Sequence, residues 1–419
     1  MNTKVQKKFV GVMASCVAAL LLANCGSDSG GGSSDGGLQG EPVKLGSILT
    51  IEHPAWNNQV MKDVNAAFSK YINDELGGID GRPVQVESCD DQGDPAKTTQ
   101  CMNNLIDSGV VAFVNNSSLA FGANALPGME KEGLANIGGW PVSGAEYSSD
   151  HEFLTSPGAS GSYPSLAVFA RGQGANTLAM MYSNTPSGQA ASDQIEALWK
   201  QLGGGQYTGV EFDPAAPDLT PAVSRMAAAK ADAVLLAVGE GAAARLFQAV
   251  KIAGVKGMVA ATSAAAGAKV RAAAGDAMEG VYLSLAAVPA DYDREDAKTY
   301  SKVMADNSPD TELTNQAAVA ASGMMAAYDI LSEISGDITK ESVLKQVQAT
   351  STWKGFLVHS YDRANAPKAL PAVGNPYNLV VKYSKDAFEP VSFDATGDVA
   401  NYVEEDGSLT WISAGPKGS

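Results

Sequence analysis

Histidine is close to absent: the 419 residues contain three, His53, His151 and His359, at no spacing that would bind zinc. The commonest general acid-base group is therefore scarce, and the motifs that activate other groups are missing too. No Gly-x-Ser-x-Gly elbow joins a strand to a helix, the one match at 32–36 falling in a Gly- and Ser-rich segment, and there is no Walker loop and no His-Glu-x-x-His pair. Catalysis is not expected, and nothing calls for a cofactor or a metal. Basic residues are few as well, with 29 Lys and Arg against 46 Asp and Glu and a net charge of −17. So acidic a surface argues against nucleic acid or anionic lipid as the partner, because phosphate contacts need Lys and Arg. No repeat of solenoid period is present. The apolar run at 9–23 falls short of the roughly 20 residues of a membrane span.

What is present is core material. A composition 45% hydrophobic and 18% charged is globular, and 419 residues are too many for one ordinary domain, so two are expected. The start, with Lys4, Lys7 and Lys8 ahead of the apolar run, reads as a secretory signal over 1–24; the alternative is an uncleaved anchor. Leu22-Ala23-Asn24-Cys25 resembles a lipobox, whose cysteine is diacylated after cleavage, although Asn24 stands where Gly, Ala or Ser is commoner. That resemblance implies a lipid anchor on Cys25. The Gly- and Ser-rich residues 25–41 would follow as a flexible tether, and loss of the three lysines would move the net charge to −20. Cys16 leaves with the signal, which leaves Cys89 and Cys101. Export and their placement, one ending a strand and the other in the helix after it, favour a disulfide; the alternative is two buried thiols.

Residues 77–106 organise the rest. Gly77, Gly78 and Gly81 suit a turn, Val84, Val86 and Ser88 continue as a strand, Asp94 caps a helix and Pro95 fits its first position. Strand, loop and helix alternate from Val43 onward, with strands at 43–49, 110–114, 134–137, 177–182, 208–212, 233–238, 281–285 and 377–383. Such alternation means parallel sheets with right-handed crossovers, and ligands belong at the carboxyl ends of their strands. An Asp- and Glu-containing stretch at 394–405 is read as a polar turn rather than a calcium loop, since Val399 occupies the glycine position.

The turn GGIDGRPV, the helix start DDQGDPAK, the two cysteines and the later FLVHSYDRANAP together resemble exported solute-binding proteins of the leucine/isoleucine/valine-binding type, from about Val43 to Val391. The resemblance implies an α/β chain with the type I periplasmic-binding-protein fold, two doubly wound parallel-sheet domains joined by three crossovers near 155–159, 285–290 and 356–361. Domain one would comprise 42–157 and 289–357, and domain two 158–288 and 358–419. It also implies a monomer that takes a small carboxylate-bearing solute, an amino acid or a related acid or amide, and delivers it to an ABC permease and its ATPase; a sensing lipoprotein is the alternative.

The same resemblance supplies candidate ligand-binding residues. Trp56 lies in the first strand-to-helix loop, where relatives often place an aromatic side chain. Asn116, Ser117 and Ser118 fit the hydroxyl-bearing turn at a helix N-terminus that holds a carboxylate, although Ser118 also suits a plain N-cap. The next loop contributes Gly139, Trp140 and Ser143, with Trp140 either walling the pocket or packing in the core. Where relatives have Tyr-Gly this chain has Ser187-Gly188, with Tyr182 and Thr185 nearby. Glu240 stands one residue before the position at which relatives often carry an acid for a ligand ammonium.

Overall fold

The structure, a computed structural model, describes residues 38–53, 56–366, 370–391, 398–400, 402–403 and 409–410. The signal, Cys25, the tether up to residue 37 and most of the 394–405 stretch lie outside the described residues. No described helix is long and apolar enough to cross a membrane.

Two sheets organise the chain. The first holds β1 (Val43–Leu49), β2 (Val84–Asp90), β3 (Ala112–Val114), β4 (Asn136–Ile137) and β5 (Glu152–Phe153) in the order β2-β1-β3-β4-β5, all parallel. Their connections carry α1 (Gln59–Asp74), α2 (Pro95–Asp107), the short α3 (Phe121–Asn124) and α4 (Leu126–Lys131), and α5 (Gly144–Ser148). Asp94 caps α2 as its type predicts: its carboxylate accepts from the N–H of Ala96 and Lys97, each at 2.9 Å.

The second sheet holds β6 (Leu178–Ser183), β7 (Tyr207–Phe212), β8 (Ala233–Leu236), β9 (Met258–Thr262) and β10 (Tyr282–Leu285) as a parallel set in the order β10-β9-β8-β6-β7. Around it lie α6 (Ser162–Gly172), α7 (Pro186–Gln201), α8 (Thr220–Ala228), α9 (Glu240–Ile252) and α10 (Ala268–Ala274). The chain then returns to the first sheet through α11 (Glu295–Asn307), α12 (Asn315–Ser332), α13 (Lys340–Ala349) and a small hairpin of β11 (Thr352–Trp353) and β12 (Tyr361–Asp362). It closes on the second sheet with antiparallel β13 (Tyr377–Ser384), β14 (Ala387–Pro390) and β15 (Asp398–Ala400). Each sheet with its helices forms one lobe.

The last return comes later than the expected 356–361. Tyr361 stacks on Phe153 of β5 with ring centres 3.9 Å apart, and the Asn375 amide donates to Thr155 O at 2.7 Å, so the chain still packs on the first lobe up to residue 375.

α12 carries the packing between layers. Ala317 to Ala321, Met324, Ala327, Ile330 and Leu331 are buried nearly all round the helix. A Cβ on Gly323 would fall 1.9 Å from Asn115 Oδ1 and 3.2 Å from Gly138 Cα, so only glycine lets the helix lie on the loops after β3 and β4.

Cys89 and Cys101 are joined by a disulfide, with Cα atoms 5.7 Å apart. Closing so short a loop contributes about 3 kcal/mol in the chain-entropy account.

A buried carboxyl adds a pH dependence. Glu152 is 1% exposed and accepts from the Asn136 amide at 2.5 Å. Burial pushes its carboxyl well above the ordinary 4.5, and the neighbouring Glu146 charge adds to the effect. The folded chain therefore holds the proton longer than the unfolded one. Stability from this group is fully present below the unfolded value and is lost as pH rises towards the folded one. Glu152→Gln is expected to raise the melting temperature near about pH 8 and to change nothing near about pH 4.5. Melting curves across that range check it, and an equal effect at both ends would contradict the assignment.

Candidate functional site

A cavity of about 610 Å³ opens at the carboxyl ends of strands from both sheets. Its walls come from the loop after β1 (His53, Trp56, Asn57), the loop after β4 (Trp140), the loop after β8 (Gly239, Glu240, Gly241), the segment after β9 (Thr262, Ser263, Ala264, Gly267) and the residues leading into α12. Doubly wound sheets put ligands in this position, because loops and helix N-termini meet where the strands end.

Three helices point their N-termini at it. Ser162 and Tyr163 open α6, Gly239 caps α9 with Glu240 and Gly241 behind it, and Thr314 caps α12 with Asn315 and Gln316 following. Each end presents backbone N–H donors and a partial positive charge that suit an anion. Burial holds the Tyr163 phenol above its ordinary value, so its hydroxyl stays protonated and able to donate.

Against these positive ends stand two carboxylates, Glu240 and Glu312. A Cβ placed on Gly267 would lie 3.3 Å from Glu312 Oε1 and 4.0 Å from Glu240 Oε1, so both oxygens face one point on the wall. Glu312 also accepts from the N–H of Ala268 at 3.2 Å and sits 3.6 Å from the exposed Lys269 ammonium. Among the described residues, no Lys or Arg lines the cavity. Trp56, Trp140 and Tyr163 add aromatic surface. The arrangement can hold a small molecule that is negative at one end and positive at the other, beside an apolar body.

Of the residues expected at the site, the structure brings Trp56, Trp140 and Glu240 together around this cavity. The others lie away from its walls. Ser117 is fully buried, its N–H donating to Ile48 O at 3.0 Å and its carbonyl accepting from Thr50 N and the Asn58 amide, while its hydroxyl is buried away from the cavity without a hydrogen-bond partner. The Ser118 hydroxyl donates to the buried carboxylate of Asp91. The helix expected after them is broken at Ala125 and Pro127 into four- and six-residue pieces, too short to present the dipole end that the carboxylate seat required.

Asn116 uses Oδ1 to accept from Ile48 N at 2.8 Å, and its carbonyl accepts from Trp140 N at 3.1 Å. Gly139 has φ +101°, and a Cβ there would lie 2.4 Å from Asn116 O, so glycine lets these two loops touch. Ser143 donates to Glu146 at 2.7 Å, Tyr182 to Gln189 at 2.9 Å, and Thr185 caps α7 by accepting from Gly188 N at 3.1 Å. None of these seven lines the cavity.

Sequence reasoning passed over His53, Ser162, Tyr163 and Glu312. Ser162 and Tyr163 were legible as the opening of a helix after a crossover, and Thr314 as the cap just after Glu312. Among the described residues, no cluster of three or more His, Cys, Asp or Glu side chains is placed to hold a metal.

A profile of periplasmic binding proteins matches residues 42–370. The chain belongs to the periplasmic binding protein family. Solved structures share its fold at low identity. An ABC transporter substrate-binding protein from Sphaerobacter thermophilus is 18% identical with a TM-score of 0.67, covering 89% of this chain and 96% of its own. The branched-chain amino acid transporter substrate binding protein LivJ from Streptococcus pneumoniae, solved with isoleucine, is 16% identical with a TM-score of 0.66, covering 84% and 99%. A fatty acid ABC transporter substrate-binding protein from Thermomonospora curvata is 17% identical with a TM-score of 0.65, covering 90% and 92%. Curated protein sequences include no significant match. As a periplasmic binding protein the chain is an extracytoplasmic solute-binding protein and not an enzyme.

Proposed function

We propose that this periplasmic binding protein captures an amino acid or a closely related small carboxylate that also carries an amine in the cavity between its lobes and delivers it to an ABC permease and its ATPase. One observation carries the reading: helix N-termini and a carboxylate pair share one cavity, which matches a zwitterion end for end. The ligand ammonium goes to Glu240 and Glu312. Its carboxylate goes to the N–H groups opening α6 and α12 with the Ser162 and Tyr163 hydroxyls, replacing the expected seat at Ser117 and Ser118. Trp56 and Trp140 take the apolar part. Such complementarity comes without a basic side chain, consistent with the acidic composition.

A thermal-shift panel tests this. Ligand at 100 times its dissociation constant adds about 2.7 kcal/mol to stability, so amino acids are expected to raise the melting temperature where neutral sugars do not. A shift with sugars alone would refute it.

The protein is proposed to act as a monomer tethered by lipid on Cys25. Cys25→Ala is expected to release it into the soluble fraction or to leave its precursor uncleaved. Unchanged membrane attachment and processing would count against the anchor.

A further inference from the structure

The walls of the main cavity are short of one kind of side chain. Among the described residues, no Leu, Ile, Val, Met or Phe lines it, and its one aliphatic side chain is the methyl of Ala264. In their place stand the rings of Trp56, Trp140, Tyr163 and His53, while Asn57, Thr262, Ser263 and Gln316 add hydroxyl and amide surface. The lining is aromatic and polar rather than hydrocarbon.

The rings are firmly seated. Trp140 is 5% exposed and its backbone N–H donates to Asn116 O at 3.1 Å, while Trp56 is half-buried and packs against the hydrophobic core. Both indoles come from the first lobe, and Tyr163, opening α6, brings a third ring from the second, so aromatic surface is offered from both sides of the cleft. An aliphatic side chain placed here would find no wall of its own kind and would drive water from hydroxyls and amides without replacing their hydrogen bonds. A ring suits both sorts of wall, because its face meets indole and phenol and its electropositive edge meets side-chain oxygens. Space allows it: about 610 Å³ lies within the range of pockets that enclose drug-sized ligands.

We propose, on the footing that this cavity takes a zwitterion, that the side chain it selects is an aromatic ring and that branched aliphatic amino acids are poor ligands. The charged ends stay with the helix N-termini and with Glu240 and Glu312. The ring lies against Trp56 and Trp140.

The probes are L-phenylalanine, L-isoleucine and L-cyclohexylalanine, whose ring is saturated but otherwise matches that of phenylalanine, each titrated calorimetrically into the full chain. Phenylalanine is expected to bind about tenfold tighter than cyclohexylalanine, the scale of two aromatic contacts, and to lead isoleucine by at least as much. Selection by apolar area alone would instead favour cyclohexylalanine or leave the two equal. Trp56→Leu, first checked for native melting, is expected to cut the preference for phenylalanine over cyclohexylalanine by about threefold or more, the share of one contact. Cyclohexylalanine or isoleucine binding as tightly as phenylalanine overturns the proposal and leaves the zwitterion reading standing, and so does an undiminished preference in Trp56→Leu. If none of the three binds at millimolar concentrations while a neutral sugar does, the zwitterion reading fails and the aromatic preference falls with it.

Discussion

Replacing Asp91 by alanine is expected to cost about 3–5 kcal/mol of folding stability, among the largest effects of any single substitution in the chain. Asp91 is fully buried at the end of β2, and its carboxylate accepts from the Thr50 hydroxyl at 2.7 Å, the Thr98 hydroxyl at 2.8 Å, the Gly93 N–H at 2.9 Å and the Ser118 hydroxyl. Alanine would strand these donors where water cannot reach them. Each orphaned group costs about 1–3 kcal/mol, reduced because hydroxyls can rotate towards other acceptors. The residues so tied belong to the loops after β1, β2 and β3, so cleft geometry should loosen with the fold. Ser118→Ala, by contrast, removes one donor and leaves the other three, and should cost about 1 kcal/mol with little change in ligand affinity. Urea titrations of both variants check the contrast. Equal and small losses would show that the network is not what holds these loops.

The second large effect concerns recognition. The double variant Glu240→Gln and Glu312→Gln is expected to weaken amino-acid binding by about 100-fold or more, since each hydrogen bond to a charged group is worth about 1.5–3 kcal/mol. Either single change should give roughly the tenfold share of its own hydrogen bond. The unliganded protein should be little affected, because what Glu312 loses in its pairing with the exposed Lys269 is of the kind that contributes little. An internal control separates charge recognition from general damage: a carboxylic acid that lacks the amine should bind wild type and double variant alike. If both ligands weaken together, the two glutamates shape the pocket rather than read the ammonium.

How much of this could be read from the sequence depends on which signal was local. β1 and β13 announce themselves through runs such as VKLGSIL and YNLVVKYS, and α2 through Asp94 and Pro95, because period and capping chemistry are written within a few residues. β9 is hidden: Met258-Val-Ala-Ala-Thr262 is a strand buried in its second half, and its alanines carry helix propensity that the surrounding sheet overrides. α13 is readable in the same way, from its start at Thr339 with Val343 and Val347 one turn apart and from the turn Ser335-Gly336-Asp337 before it, where Gly336 takes φ +94°.

The site divides in the same way. Trp56, Trp140 and Glu240 each stand just after a strand, and topology alone sends such residues to the cleft. Glu312 belongs to no strand-end loop; it reaches the cavity only because α12 packs its N-terminus against the second crossover, where the Asn315 side chain accepts from Ala286 N at 3.0 Å and donates to Ala287 O at 2.9 Å. That is a tertiary fact. Ser117 and Ser118 illustrate the converse, since hydroxyls at a strand end suit an anion or a buried acceptor equally, and only the position of Asp91 decides between them.

The claim that this periplasmic binding protein holds a zwitterion between its lobes is tested most directly by the small molecule it carries. Protein purified from its native host without added ligand, then denatured, should release a compound bearing both an amine and a carboxylate, at close to one per chain, as read by mass spectrometry of the supernatant. The Glu240→Gln and Glu312→Gln double variant, prepared in the same way, should release little or none. Recovery of a neutral sugar or of an acid without an amine, or an undiminished yield from the double variant, would contradict the account.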